Sequence, residues 1–290
     1  MKNRLMQKTY SYWLLVPGVL IYCVIFIIPT ISSFYFAMTR WNLRTAEWIG
    51  FDNYITFFSQ PSTKNSIGNT FLYAGVTTVI KGVLGLVIAV WLCRKSTKAH
   101  GYIKTVFYFP AMLSTVVVGI IFSAILHPSN GIVNQVIMGL GGPKIQWLND
   151  SGLAIWVVMF ADIWKTIGIN VLIYMSGIAA IPKDYYESSA LDGANGWQQF
   201  KNITLPLLVP SINSAITLSL IGGMKNYELI WTMTEGGPGY ASEVLGTVTY
   251  KLFARGNYGL ATAGQVIIFL IVCAIVFPVN SWLSKKVVEM

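Results

Sequence analysis

Six long apolar segments constrain the fold of this 290-residue chain more than any other feature. They span about 12–37, 67–93, 103–126, 153–180, 205–224 and 261–283. Each is long enough to cross the ~30 Å hydrocarbon layer as a helix, which satisfies its own backbone hydrogen bonds in lipid. Only 11% of the residues are charged, against roughly 25% in an ordinary soluble domain. The sequence therefore predicts an all-α membrane protein in which residues 1–290 form one transmembrane domain.

Lys and Arg residues indicate how the segments cross the membrane. With the N-terminus inside, the inner loops and ends hold 11 Lys and Arg, against 7 in the longer outer ones. Because cytoplasmic loops are enriched in these residues, we expect both termini in the cytoplasm. The same bias accounts for the formal net charge of +9. Since no basic face carries interleaved aromatic residues for stacking, we expect no nucleic-acid binding.

The first segment could instead be a cleaved signal, because Lys2, Arg4 and Lys8 precede it. The apolar region of such a signal is only ~7–15 residues long and is followed by small residues. Segment 12–37 is longer and continues into bulky side chains such as Phe34. We therefore predict an uncleaved membrane anchor.

Cysteine and histidine form no metal-site pattern in this sequence. Cys23, Cys93 and Cys273 lie in or beside apolar segments, where a free cysteine behaves as a small hydrophobic residue. His100 and His127 stand alone at segment ends. We expect neither a metal site nor a disulfide framework.

Residues 181–206, between the fourth and fifth segments, carry the most specific local pattern. Pro182 suits the first turn of a helix, and Gly193 can adopt the left-handed conformation that ends one. A second short helix is expected to begin near Asn195, and the next span at Pro206. The pattern predicts a helix-turn-helix along the inner membrane face. Amphipathic inner loops are common in membrane proteins, so the pattern alone does not identify a docking surface.

The spacing in this loop resembles the signature of ABC importer permeases, Glu-Ala-Ala, three residues, Gly, nine residues, Ile-x-Leu-Pro. Glu187, Gly193 and the stretch 203–206 fall in register. Ser188 and Ser189 replace the usual alanines, a small-for-small change that preserves close packing. Other stretches resemble the maltose-type branch of this family: 48–54, Asn69-Thr70, 231–239, Tyr250, Phe253 and 259–263. The resemblance extends over nearly the whole chain.

This resemblance implies a MetI-like fold, the six-transmembrane-helix bundle of a type I ABC importer permease, with a cytoplasmic coupling helix. It also implies a multi-pass protein of the bacterial cell membrane that imports a sugar, in particular an oligosaccharide. The implied partners are a second, non-identical permease subunit, two ATPase subunits and an extracytoplasmic solute-binding protein. The implied contacts with the ATPase are Glu187, Ser188, Ser189, Ala190, Asp192, Gly193, Ala194, Ile203, Leu205 and Pro206.

Nucleotide chemistry is expected to belong to a partner. The chain has no Gly-x4-Gly-Lys-[Ser/Thr] phosphate-binding loop. We therefore expect a translocation subunit that is not an enzyme and binds no cofactor, with ATP and Mg²⁺ held by the ATPase subunits.

Asp162 and Lys165 place two charges inside the fourth segment. Charged residues within membrane spans pair with each other or line a solute path. A structural pair is one interpretation. The other places Asp162 in a solute cavity, and the resemblance to the maltose permease adds Ser219, Gly223 and Asn226 in the same register. Tyr227 would supply an aromatic surface for a sugar.

The stretch 235–242 is rich in turn-forming residues and predicts a shaped outer loop. It is either a simple connector or, as the resemblance implies, a contact for the solute-binding protein. Three alternatives to a sugar importer remain at this point. They are a glycerol-phosphate importer permease of the same family, an ion-gradient-driven transporter that uses Asp162 as a proton relay, and a membrane-embedded enzyme. The enzyme is disfavoured because no catalytic constellation is apparent.

Overall fold

The computed structural model describes residues 12–93 and 98–286. In chain order, its helices are α1 (Trp13–Phe36), α2 (Asp52–Ser59), α3 (Pro61–Cys93), α4 (Lys98–Tyr108), α5 (Thr115–Ile125), α6 (Ile132–Gly139), α7 (Ala154–Ala180), α8 (Lys183–Leu191), α9 (Gly196–Leu207), α10 (Val209–Lys225), α11 (Glu228–Thr234), α12 (Leu245–Ala254) and α13 (Tyr258–Ser284). The predicted all-α class is confirmed. Five of the eleven Lys and Arg residues counted for the inner side lie outside the described residues: Lys2, Arg4, Lys8, Arg94 and Lys95.

Among the described residues, four helices are individually long and apolar enough to cross a membrane: α1, α3, α7 and α13. Two bent pairs raise the number to six if each pair counts as one span. Helix α1 contains a π-helical turn, Cys23–Ile27, just before Pro29. Proline cannot donate the usual backbone hydrogen bond, so a local change of helical geometry at this point is expected. Most of α1 is exposed in the isolated chain, as a lipid-facing or partner-facing helix would be.

The third and fifth predicted spans differ from single straight helices. Helix α4 and the following turn Phe109–Met112 meet α5 at 99°. Pro110 removes a backbone donor, and Leu113 and Ser114 are extended, so the helix cannot continue. Helices α9 and α10 meet at 66° around Leu208. The straight part of the fifth span therefore begins at Val209 rather than at Pro206, which lies within α9.

Helix α3 occupies the centre of the bundle. Its residues Ala74, Tyr73 and Ala89 belong to three different buried clusters, which connect α3 to α7, α10 and α13. The predicted segment 67–93 captured the apolar part, but the helix begins earlier, at Pro61. Polar residues also point into the bundle from α3, notably Thr77 and Lys81, which are almost completely buried.

The segment between α1 and α3 carries structure that the apolar pattern did not reveal. Strands β1 (Thr39–Trp41) and β2 (Ala46–Trp48) form an antiparallel hairpin in which Arg40 is opposite Glu47. Asn53 on α2 donates hydrogen bonds of 2.9 Å to the carbonyls of Ala37 and Thr39. This buried amide fixes the hairpin to the end of α1.

Candidate solute cavity and coupling surface

A cavity of about 330 Å³ lies between α3, α5, α7 and α10, where α10 turns into α11. Its polar lining consists of Lys81, Thr115, Asp162, Lys165, Thr166, Asn170, Ser219, Lys225, Asn226, Tyr227 and Glu228. Hydroxyl, amide, carboxylate and ammonium groups therefore surround one space within the bundle. Such a set offers both donors and acceptors to a polar solute.

Four of the five predicted solute residues line this cavity: Asp162, Ser219, Asn226 and Tyr227. The fifth, Gly223, lies on another face of α10, against α3. A Cβ added at Gly223 would lie 2.8 Å from the Cα of Ala74, so this glycine allows the two helices to approach closely. The neighbouring Gly222 lines the cavity instead, and a Cβ there would meet nothing within 4 Å.

Asp162 is paired with a residue that the sequence analysis did not consider. The Nζ of Lys81 on α3 lies 2.7 Å from Oδ2 of Asp162, and the two side chains are 5% and 9% exposed. A charge buried in a bundle is costly unless it is paired, so this contact explains how both residues are tolerated. The sequence did contain a signal for Lys81, which is its charge in the middle of the apolar segment 67–93. Lys165 lines the same cavity but has no ion-pair partner among the described residues.

Two further polar contacts join the helices around the cavity. Asn170 on α7 and Ser219 on α10 exchange hydrogen bonds of 3.0 and 3.1 Å. The amide nitrogen of Asn226 donates to the Tyr73 hydroxyl at 2.7 Å. The cavity wall is therefore built from contacts between helices. The groups in these contacts can still accept or donate further hydrogen bonds.

The predicted helix-turn-helix is present as α8 and α9. Gly193 has φ +80°, and the backbone N–H groups of Gly193 and Ala194 bond to the carbonyls of Ala190 and Ser189. These contacts form a glycine-dependent helix end. Asn195 caps α9 by accepting hydrogen bonds from the backbone N–H groups of residues 197 and 198. The local sequence therefore determines both the end of α8 and the start of α9.

Side chains also hold α8 and α9 together. The hydroxyls of Tyr186 and Thr204 lie 2.9 Å apart. The Gln199 amide donates to the Tyr186 carbonyl at 3.2 Å and to the Ser189 hydroxyl at 3.1 Å. Tyr186 therefore faces inward. The exposed apolar groups at the turn are Leu191 (90% exposed) and Trp197 (68% exposed).

The predicted ATPase contacts fall into two groups. Glu187, Ser188, Ala190, Asp192 and Gly193 are exposed on α8 and at its end, and Ser189 and Ala194 are half-buried beside them. Ile203, Leu205 and Pro206 are half-buried in the later part of α9, which leads into α10. The exposed turn and the connection to the bundle are thus distinct parts of one unit.

The loop between α11 and α12 is fixed from two sides. The Asn69 amide on α3 donates to the carbonyls of Tyr240, Ala241 and Glu243 at 3.3, 3.1 and 2.9 Å. Thr70 accepts from the backbone N–H of Leu245 at 2.9 Å. Asn69 and Thr70 thus have a structural role, which is to hold the loop after α11 against α3.

A buried carboxylate, that of Glu243, also stabilises this loop. Glu243 pairs with Lys251 on α12 at 2.8 Å and accepts a hydrogen bond of 3.0 Å from Thr247. The side chain of Glu243 is 1% exposed. Contacts with α3 and α12 therefore fix the conformation of this loop.

Comparison with known proteins identifies the family. Residues 81–289 match the family described as "Binding-protein-dependent transport system inner membrane component". The chain belongs to this family. It is 31% identical to a probable ABC transporter permease protein, YurN, of Bacillus subtilis, over 93% of this chain and 94% of the relative. It is 30% identical to AmyD of Thermoanaerobacterium thermosulfurigenes, a probable starch degradation products transport system permease protein, over 98% and 97% of the two chains.

Solved structures show the same ABC permease fold. The chain is similar to one in the crystal structure of a bacterial ABC transporter involved in the import of the acidic polysaccharide alginate, with a TM-score of 0.83 and 25% identity over 97% of this chain and 99% of the other. A bacterial alginate ABC transporter in complex with an alginate pentasaccharide-bound periplasmic protein gives a TM-score of 0.81 and 25% identity over 93% and 92%. The family and fold expected from the 181–206 loop are therefore confirmed.

Proposed function

We propose that this ABC permease is the translocation subunit of a binding-protein-dependent importer that carries a sugar, in particular an oligosaccharide. The observation that carries the proposal is the polar cavity between α3, α7 and α10. Its hydroxyl, amide and carboxylate groups match the hydrogen-bonding capacity of sugar hydroxyls. The described functions of AmyD and of the alginate transporter, both of which concern saccharides, support the same solute class.

Energy for transport would come from two separate ATPase subunits, which would hold ATP and Mg²⁺. The α8–α9 unit supports this assignment because it is internally bonded and presents Leu191 and Trp197 at an exposed turn. Helix α9 continues through the bend at Leu208 into α10, which carries Ser219 and Gly222 of the cavity. Movement of a rigid α8–α9 unit would therefore be transmitted to the cavity wall.

The remaining partners and the orientation follow from the same proposal. The α8–α9 unit and both termini would face the cytoplasm of a bacterial cell, and the loop fixed by Asn69 would face outward. That loop offers a preformed surface to an extracytoplasmic solute-binding protein. A second, non-identical permease subunit would complete the pathway.

One observation favours a second candidate, import of a glycerol phosphate. Lys165 and Lys225 line the cavity, and neither has an ion-pair partner among the described residues. Ammonium groups of this kind can bind a phosphate or a carboxylate. Glu228 lines the same cavity and argues against a phosphate solute, because it adds a negative charge.

The test is uptake into proteoliposomes that contain the purified transporter with its ATPase, second permease and binding protein. The probes are radiolabelled maltotriose, arabinotriose, trehalose, an alginate trisaccharide and glycerol 3-phosphate. We expect accumulation of one of the saccharides only when ATP is supplied on the ATPase side. Uptake of glycerol 3-phosphate alone would support the second candidate. Accumulation driven by an ion gradient without ATP would refute both.

A further inference from the structure

Tyr73 lies behind the cavity and contacts one of its lining residues. Its side chain is 0% exposed, and it does not line the cavity itself. The hydroxyl accepts the 2.7 Å hydrogen bond from the Asn226 amide. This buried hydroxyl therefore holds the side chain of Asn226 in one orientation.

Lys81 holds a second lining residue, Asp162, from the same helix. It follows Tyr73 by eight positions, about two helical turns, so both side chains lie on the face of α3 that meets α7. Its ammonium group binds Oδ2 of Asp162 at 2.7 Å. Helix α3 thus holds both lining residues, Asp162 through Lys81 and Asn226 through Tyr73.

These contacts determine which atoms remain available in the cavity. Asn226 uses its amide nitrogen on Tyr73, so its amide oxygen remains a free acceptor. Asp162 uses Oδ2 on Lys81, and a carboxylate has further lone pairs for a solute hydroxyl. A group whose rotamer is already fixed loses less conformational entropy when a ligand binds.

We propose that Tyr73 and Lys81 are positioning residues of the solute site, which fix Asp162 and Asn226 in the orientation that binds the solute. The proposal rests on the proposed function, because it assumes that the cavity binds the transported sugar. It adds a role for α3, whose residues were absent from the predicted solute contacts.

The first test is Tyr73→Phe, which removes one hydroxyl and keeps the ring. We expect the Kd of the transported saccharide, measured on the purified transporter held with ATP and an inactive ATPase, to rise at least ~tenfold. The melting temperature should fall only modestly, because the buried ring is retained and one hydrogen bond is lost. Tyr54→Phe is the matched control, since Tyr54 lies on the outer helix α2 and does not line the cavity. An unchanged saccharide Kd in Tyr73→Phe would overturn the positioning role.

The second test needs no solute. A double-mutant cycle combines Tyr73→Phe with Asn226→Ala and measures the melting temperature of the assembled transporter. Residues in one hydrogen-bond network give non-additive effects, so we expect the double variant to lose less than the sum of the single losses. Additive losses would show that Tyr73 does not act on Asn226 and would reject the proposal.

The two tests distinguish a failure of the positioning role from a failure of the proposed transport function. A wild-type transporter that binds none of the saccharides rejects sugar import, whereas the cycle still decides whether Tyr73 holds Asn226. Saccharide binding by the wild type, with no loss in Tyr73→Phe, leaves the transport function intact and rejects the positioning role.

Discussion

The ammonium of Lys81 and the carboxylate of Asp162 form a 2.7 Å ion pair that joins α3 to α7 at the wall of the candidate solute cavity. The pair is separated by 81 positions in the sequence and is almost completely buried. It explains why two charges occur in the middle of two apolar segments.

Removing one member of the pair should destabilise the protein more than removing both. Lys81→Met leaves a buried carboxylate without its cation, which typically costs about 3–5 kcal/mol. The double variant Lys81→Met/Asp162→Asn should recover most of that loss, because no buried charge remains. Thermal unfolding in detergent measures the effect. Lys165→Met is the control, since Lys165 has no ion-pair partner among the described residues; a double variant as unstable as Lys81→Met would count against the explanation.

The adjacent glycines of α10 should respond differently to alanine. Gly223→Ala places a Cβ 2.8 Å from the Cα of Ala74 and should destabilise the bundle by about 1–3 kcal/mol. Gly222→Ala meets open space, so folding should be preserved or improved by up to ~1 kcal/mol, as helix propensity favours alanine. Gly222→Ala should instead change saccharide affinity, because it faces the cavity. Thermal unfolding and saccharide binding of both variants test this assignment, and equal destabilisation would contradict it.

The turn between α8 and α9 should be required for coupling. Gly193→Asp adds a side chain at φ +80° and a negative charge at the exposed turn, so we expect normal membrane insertion and a loss of ATP-driven uptake of at least ~tenfold. Gly256→Asp is a matched control, since Gly256 also has φ +80° and open space but lies between α12 and α13. Uptake and membrane abundance are measured together for both variants. Equal uptake in the two variants would remove the special role of Gly193.

Asn69 should control the order of the loop between α11 and α12. Asn69→Ala removes three hydrogen bonds to carbonyls of residues 240–243. We expect faster amide exchange in 235–243 and a several-fold higher concentration of solute-binding protein for half-maximal ATPase stimulation. Asn65→Ala, one turn earlier on α3 and exposed, should change neither quantity. Increased exchange with unchanged stimulation would show that the loop is ordered but does not contact the binding protein.

The sequence predicted the features that depend on short-range interactions. Apolar length identified the spans, and Pro182, Gly193 and Asn195 specified α8 and α9 because each acts on its own helix end. The pairing of Lys81 with Asp162 depends on how α3 packs against α7, which no local pattern encodes. The Asp162–Lys165 spacing was therefore insufficient to identify the partner.

The cavity residues were predicted in part for a related reason. Asp162, Ser219, Asn226 and Tyr227 line the cavity, whereas Gly223 faces α3 and Gly222 takes its place. Adjacent residues on a helix point about 100° apart, so a rotation of α10 by about that angle would exchange them. That rotation depends on the 66° bend at Leu208, which sequence spacing does not determine.

The most direct test of the whole account is saccharide accumulation by the reconstituted transporter, with ATP either enclosed on the side of α8 and α9 or withheld. We predict accumulation that requires both this ATP and the solute-binding protein and that disappears in Gly193→Asp. Accumulation without ATP, or a fully active preparation that contains no ATPase subunit, would contradict the account.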